Sequence, residues 1–373
     1  MKPEAIQLLS NAGMYGPAVI FPLILQDEFG ASKSTIGLIA GGFAAAGFIS
    51  SYMFGRASDI HGKRKVLLLG LILSGLATVI QAASILWGGL PVVAVVRILV
   101  GFTSGMFPAA LMAYAYEARS KMGKFSAWGA AGWGVGNLSV GLFGIFYEGA
   151  YLYCAGLLFL SYAIALKLPL MKETKMLVPL FPADLIKRNA PVYSAMLIRH
   201  TGASMIWVTY PLFLASIGAD IGWIGMIYAV NAFGQFFIMN YLDKYDPASL
   251  VAIGLAMSGA TFYMFLLASN FWEIIPSQVA LALAWSCLYV GSVRYVLDSN
   301  KEKATAAGIL SSVTSISGVV GPVLGGLAVT LLDFKGTIAI ATVMSFIAFA
   351  IFVNELRKTG ELYRLRPRSW VPR

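Results

Sequence analysis

The chain has 373 residues, 58% of them hydrophobic and 12% charged, with a formal net charge of +10. Soluble domains are about a quarter charged, so this chain has too few polar groups to cover a water-facing surface, and its mean hydropathy of +0.77 marks a polytopic membrane protein. The positive charge sits in short clusters between apolar runs and makes no continuous basic face, which excludes a nucleic-acid binder and fits the positive-inside rule.

A hydrocarbon core about 30 Å thick needs roughly 20 apolar helical residues. Runs of that kind lie at about 5–26, 34–55, 65–87, 90–116, 124–147, 150–170, 191–217, 221–241, 248–269, 271–297, 304–332 and 336–355. They predict twelve spans, joined by short turns except for a longer link at 171–190. The first run is too long for a cleavable signal peptide and lacks a basic leader. With the N-terminus in the cytoplasm, the inner links and the tail hold nearly all Lys and Arg, and only Lys33 and Lys335 fall outside. Both termini are therefore expected on the cytoplasmic side of the inner membrane. The expected division is a six-helix bundle over 1–170, a cytoplasmic linker over 171–190, a second bundle over 191–356 and a cytoplasmic tail over 357–373. The tail ends in SWVPR, which is similar to a tag remnant and is given no functional reading.

After span 2 comes GRASDIHGKRK, residues 55–65, a dense charge cluster in an apolar chain. Gly55 lets helices approach closely, and Gly62 permits a tight turn. Asp59 can pair with a neighbouring Arg or with the positive end of a helix. Lys63, Arg64 and Lys65 anchor the turn. Span 4 follows with Arg97, Gly101, Gly105 and Pro108 on one helical face. A charged side chain at that depth is costly and marks function. Cys154 and Cys287 read as small apolar residues, without disulfide or metal-ligand spacing.

In the second half, Arg199 and His200 fall inside span 7. Arg199 either lines a cavity or reaches the cytoplasmic surface; His200 is either structural or the one buried group with a pKa suited to proton transfer. Span 8 carries Tyr228, Asn231 and Gln235 at i, i+3 and i+7, a polar stripe that lipid would not tolerate. Span 10 has Trp285 and Tyr289 at i and i+4, and its Arg294 is near enough to the inner face to snorkel. None of the acidic residues sits clearly at mid-membrane: Glu117 and Asp298 close spans 4 and 10 inside, and Asp27 closes span 1 outside. No P-loop is present, and no nucleophile–base pair or extramembrane domain suggests an enzyme.

The halves also repeat. PLILQDEFGASKSTIG (22–37) and PLFLASIGADIGWIG (211–225) share PLxL, GA and IG, and KFSAWG (124–129) parallels KATAAG (303–308). Matches at two corresponding places point to a duplicated six-helix unit.

The run G-x-x-x-D-x-x-G-K-R, held by Gly55, Asp59, Gly62, Lys63 and Arg64, resembles the loop motif of the major facilitator superfamily of secondary transporters. Ile60 stands where that family has a basic residue, which leaves Arg56 as a candidate partner for Asp59. NYLDKYDP (240–247) is a degenerate second copy that keeps Asp243, Lys244 and Asp246. The arginine and glycines of span 4 resemble a second family motif. A third, GPxxGG, is broken in span 5, where GNLSVG (136–141) has Asn137 for proline, and intact in span 11 as GPVLGG (321–326).

The resemblance implies an all-α membrane protein of twelve helices in two pseudo-symmetric bundles that alternate access to a central site. It implies gating at Gly55, Asp59, Gly62, Lys63, Arg64, Gly101 and Gly105. On the family plan spans 1, 4, 7 and 10 line the cavity, which nominates Asn11, Tyr15 and Gln26 of span 1 and Arg97. It also nominates Arg199, His200 and Tyr210, with Arg199 and Tyr210 on one face at i and i+11, and Trp285 and Tyr289. Tyr228, Asn231 and Gln235 of span 8 and Trp133 and Asn137 of span 5 adjoin them. The expected function is secondary transport of a small molecule, as a proton-linked exporter of amphipathic compounds. The alternatives are a carrier of small organic anions using Arg97 and Arg199, and a non-transporting receptor or scaffold. Lipids and protons are the other expected partners; no cofactor is expected, and the chain is expected to act as a monomer.

Overall fold

A computed structural model describes residues 3–17, 20–21, 24–25, 28–31, 33–141, 143, 146–170, 178–207, 209–219 and 221–365. Among them all regular structure is helical. In the first half lie α1 (Pro3–Tyr15), α2 (Lys33–His61), α3 (Lys63–Trp87), α4 (Leu90–Gly105), α5 (Pro108–Glu117), α6 (Met122–Gly141) and α7 (Tyr147–Leu166). In the second lie α8 (Ala183–Trp207), α9 (Tyr210–Ser216), α10 (Ile221–Met239), α11 (Pro247–Leu267), α12 (Ile274–Asp298) and α13 (Lys303–Lys358).

Prolines explain where expected spans break. Pro108 cannot donate to the preceding turn, so span 4 becomes α4 and α5. Pro211 does the same to span 7, which ends as α8 and restarts as α9. The i and i+11 spacing of Arg199 and Tyr210 therefore does not put them on one continuous helix face. In the opposite sense, α13 runs for 56 residues, roughly 84 Å at 1.5 Å per residue, more than twice a bilayer core. Asp333 interrupts it with φ 66 and ψ −172, and Gly336 N–H then donates to the Asp333 Oδ1 at 2.8 Å. This division corresponds to spans 11 and 12.

Seven helical stretches among the described residues are long and apolar enough to cross a membrane, α4 with α5 counted as one and α13 counted as one. The helix order is consistent with twelve crossings. On α3, Leu69, Leu76, Ile80 and Trp87 are exposed and recur at seven- and four-residue steps. They form an apolar stripe that lipid would cover and water would not favour.

The chain forms two compact units: Met1–Lys121 with Trp128–Pro182 and Lys301–Ser315, and Met122–Ala127 with Ala183–Asn300 and Ile316–Arg373. In the first, α3 packs on α7 and α2 on α4; in the second, α11 packs on α12 and α10 on α12. The units repeat each other's close contacts. A Cβ added at Gly132 or Gly136 of α6 would lie 2.3 Å from Leu8 O or 2.5 Å from Ala12 O on α1. At Gly321 or Gly325 of α13 it would lie 2.8 Å from Thr201 O or 2.5 Å from Met205 O on α8. Both pairs are glycines four apart that bring backbones together. Likewise Gly75 of α3 seats the Phe159 ring and Gly259 of α11 seats the Phe346 ring.

Candidate functional site

The charge cluster at 55–65 is two helices meeting at one residue. α2 runs to His61, Gly62 turns the chain at φ 107 and ψ 132, and α3 starts at Lys63. Only glycine takes that φ without strain. Within the first unit, the buried Asp59 carboxylate caps the N-terminus of α13. It accepts from Thr305 N–H at 2.7 Å, Thr305 Oγ1 at 2.7 Å and Ala304 N–H at 3.3 Å. Backbone N–H groups at a helix start carry partial positive charge, so an anion is favoured there.

Of the two readings of Asp59, the helix terminus is the one observed. Arg56 is not its partner: it donates to Val178 O at 2.8 Å and Pro179 O at 3.0 Å. Arg64 donates to Leu166 O at 2.7 Å. The base beside Asp59 is Lys63, 3.6 Å away, which also pairs with Glu117 at 3.2 Å. Gly55 makes the approach possible, since a Cβ there would lie 2.7 Å from Ala304 O and 2.9 Å from Gly308 Cα.

The second unit has its own version. Asp243 accepts from Gly123 N–H at 2.8 Å and Lys124 N–H at 3.3 Å, at the start of α6. Asp246 instead caps α11 through Ala248 and Ser249 N–H. Asp243 has two backbone donors and no hydroxyl. Asp243→Asn is therefore expected to cost about 1.5–3 kcal/mol, the range for hydrogen bonds to a charged group, and less than the same change at Asp59. Thermal unfolding of the two purified variants checks the order.

Arg97 of α4 is 6% exposed. Its guanidinium carbon lies 4.3 Å from the Phe21 ring centre and 4.5 Å from that of Phe43. Among the described residues it has no hydrogen-bond acceptor and no carboxylate partner. A desolvated ring contributes about 2 kcal/mol to a cation. Two rings thus roughly offset the 2.5–3.5 kcal/mol of placing an arginine at mid-membrane on insertion scales, but they leave its N–H edge unfilled. Gly101 and Gly105, on the same face as Arg97, seat α4 on α2. A Cβ at these positions would lie 2.4 Å from Phe43 O and 2.8 Å from Gly47 O.

Arg199 is buried within the second unit. It is 2% exposed, its Nε donates to Ser258 Oγ at 2.9 Å, and its guanidinium sits 5.4 Å from the Phe262 ring and 5.2 Å from Trp285. α11 and α12 hold it as a core residue of the second unit. Beside it, His200 stacks on Trp285 at 5.2 Å and Trp285 on Tyr289 at 5.5 Å. The His200 Nδ1 is buried without a hydrogen-bond partner among the described residues.

The polar stripe of span 8 belongs to a larger buried network. Gln235 Nε2 donates to Asn231 Oδ1, Asn231 Nδ2 to Gln278 O at 3.5 Å, and Gln278 Nε2 to the Tyr210 hydroxyl. Tyr228 packs edge-on against Tyr210 at 5.8 Å. Sequence reading missed Gln278, although it precedes Trp285 and Tyr289 by seven and eleven residues on one helix face.

In the first unit, Asn11 Nδ2 donates to Gly129 O at 3.1 Å. The Asn137 amide, oriented by its neighbours, donates to Tyr15 O and accepts from Trp133 Nε1, both at 3.1 Å. Tyr15 itself is exposed. Gln26 and Asp27 lie outside the described residues. Arg294 donates to Tyr245 O at 2.7 Å and Leu242 O at 3.3 Å, so it closes a turn of its own unit.

Membrane-length helices, two units with equivalent helix contacts and charges buried inside spans define a polytopic membrane protein. The profile of the Major Facilitator Superfamily matches residues 5–186 and 192–372, and the chain belongs to that superfamily. It is a membrane-spanning transporter, not an enzyme, and superfamily members bind small-molecule substrates. Its relatives include the agnestins efflux protein AgnL12 of Paecilomyces divaricatus, 27% identical over 146 residues, a stretch covering 38% of this chain and 34% of that protein. Quinolone resistance protein NorA of Staphylococcus aureus (strain COL) is 22% identical over 82% of this chain and 84% of its own length. Among solved structures, the human organic anion transporter MFSD10 (TETRAN) superposes with a TM-score of 0.76 at 15% identity, covering 94% of this chain and 98% of that one. That likeness shows the fold.

Proposed function

We propose that the chain exports amphipathic compounds across the cytoplasmic membrane by alternating access, driven by a proton moving inward. The observation that carries this reading is the Asp59 cap on α13, made between residues 245 and 246 positions apart in sequence. In the cycle, the first turn of α13 is held by Asp59 in one state and released in the other, and binding of the substrate must offset that loss. The names of two relatives, an efflux protein and a quinolone resistance protein, support outward movement. The stacked His200, Trp285 and Tyr289 supply flat apolar contacts for a hydrophobic body. His200, with its unpartnered Nδ1, is the group that suits carriage of the proton.

The test is flux in proteoliposomes with fluorescent amphiphiles of neutral, cationic and anionic type, with and without an imposed pH gradient. Flux should follow the gradient and stop when an ionophore dissipates it. His200→Ala should lower gradient-driven flux about tenfold, the loss expected for a typical coupling energy, while leaving downhill exchange intact. No movement of any amphiphile under either condition ends the reading, and full gradient-driven flux in His200→Ala removes the histidine from it.

A further inference from the structure

We infer that Arg97 and Tyr151 form an oxyanion site inside the first unit, and that the compound recognised there is an amphiphile bearing a carboxylate. This rests on the transport reading above and narrows its substrate. Buried charged donors almost always find an acceptor, because an unfilled one forfeits its hydration. Arg97, 6% exposed, has none among the described residues. Phe21 and Phe43 cover the guanidinium at 4.3 and 4.5 Å. Rings can satisfy the faces of that cation but not its N–H edge.

A second unfilled donor belongs to the same buried cluster as Phe21, whose ring the Arg97 guanidinium covers. The Tyr151 hydroxyl is buried and has no hydrogen-bond partner among the described residues, on a residue that is 0% exposed. Two donors from different helices, α4 and α7, thus have no acceptor among the described residues. A carboxylate offers two oxygens in one plane, enough for the forked edge of an arginine and for a hydroxyl. Ile20, Ile24, Ile39 and Val93 belong to the same buried cluster as Tyr151 and Phe21. Such surroundings favour an ion carried on an apolar body over a small hydrated one. Arg97 also lies roughly 10 Å along α4 from its first residue, at 1.5 Å per residue, which is deep for a phosphate anchored in a lipid headgroup layer.

The test uses the purified full chain and 1-naphthoate, with 1-naphthamide and 1-naphthylmethylammonium as matched uncharged and cationic probes. Thermal unfolding should shift upward with naphthoate alone. Apparent affinity for it should fall roughly 10- to 100-fold in Arg97→Gln and roughly three- to tenfold in Tyr151→Phe, the ranges for charged and neutral hydrogen bonds. If Arg97→Gln does not fold, Tyr151→Phe decides, because it keeps the ring and removes only the unpartnered hydroxyl. An equal shift with naphthamide, or unchanged naphthoate affinity in the folded variants, overturns the site. So does an equal shift with chloride alone, or with phosphatidylglycerol in nanodiscs to which naphthoate adds nothing. Export of the cationic or neutral amphiphile without naphthoate binding would sink this site and leave the transport reading standing. Naphthoate binding without flux of any amphiphile would do the reverse.

Discussion

Asp59→Asn is expected to lower amphiphile flux by about tenfold or more and to reduce the thermal unfolding temperature, with the chain still folded. The carboxylate holds two backbone N–H groups and one hydroxyl at the start of α13. Asparagine keeps one acceptor and puts N–H groups where the second oxygen was, facing other donors. Hydrogen bonds to a charged group contribute about 1.5–3 kcal/mol, and about 1.4 kcal/mol is a factor of ten in a population. The same change removes one of the two acids near Lys63, which is 3% exposed and is left with Glu117 alone. Hydrogen exchange should also quicken at residues 304 and 305, whose amides lose their acceptor. Wild-type flux and wild-type exchange at those amides in the variant would mean that the cap has no part in the cycle.

The second large effect is at Gly101. A Cβ there would stand 2.4 Å from the Phe43 carbonyl oxygen and 2.9 Å from the Phe43 Cα, both backbone atoms that cannot rotate away. Gly101→Val must push α4 off α2, at a cost of about 1–3 kcal/mol or more. The residue pushed is also the one whose ring lies on Arg97. Binding of naphthoate should therefore weaken together with stability. Gly326→Ala is the control, because nothing lies within 4 Å of its added carbon. Unfolding temperatures that drop equally for the two variants would show that the close contact of α2 and α4 is not what the glycine serves.

Both effects were partly legible in the residues. The spacing of Arg97, Gly101 and Gly105 placed them on one face of a helix, and a helix obeys that spacing whatever surrounds it. Asp59 stood out as a lone acid among bases, but its partner did not. Local reading left open a neighbouring arginine or a helix N-terminus, and the structure turns Arg56 to the carbonyls of Val178 and Pro179 and gives Asp59 the helix start. Arg199, whose depth in a span left open a cavity or the cytoplasmic surface, has Ser258 and the Phe262 and Trp285 rings as its neighbours. Tyr151 gave no signal, since a tyrosine in an apolar run is usually packing. Gln278 did give one, through its spacing from Trp285 and Tyr289.

What the sequence determined by itself was immersion in lipid and an all-helical superfamily fold. Those follow from hydropathy and charge summed over neighbouring residues, because a bilayer demands about 20 apolar residues per crossing whatever the rest of the chain does. What only the tertiary structure decided was the partner of each buried charge. Thr305 lies 246 positions from Asp59, and Phe21 and Phe43 reach Arg97 from two other spans. Such pairings depend on which helix faces meet, and no local window of residues encodes that.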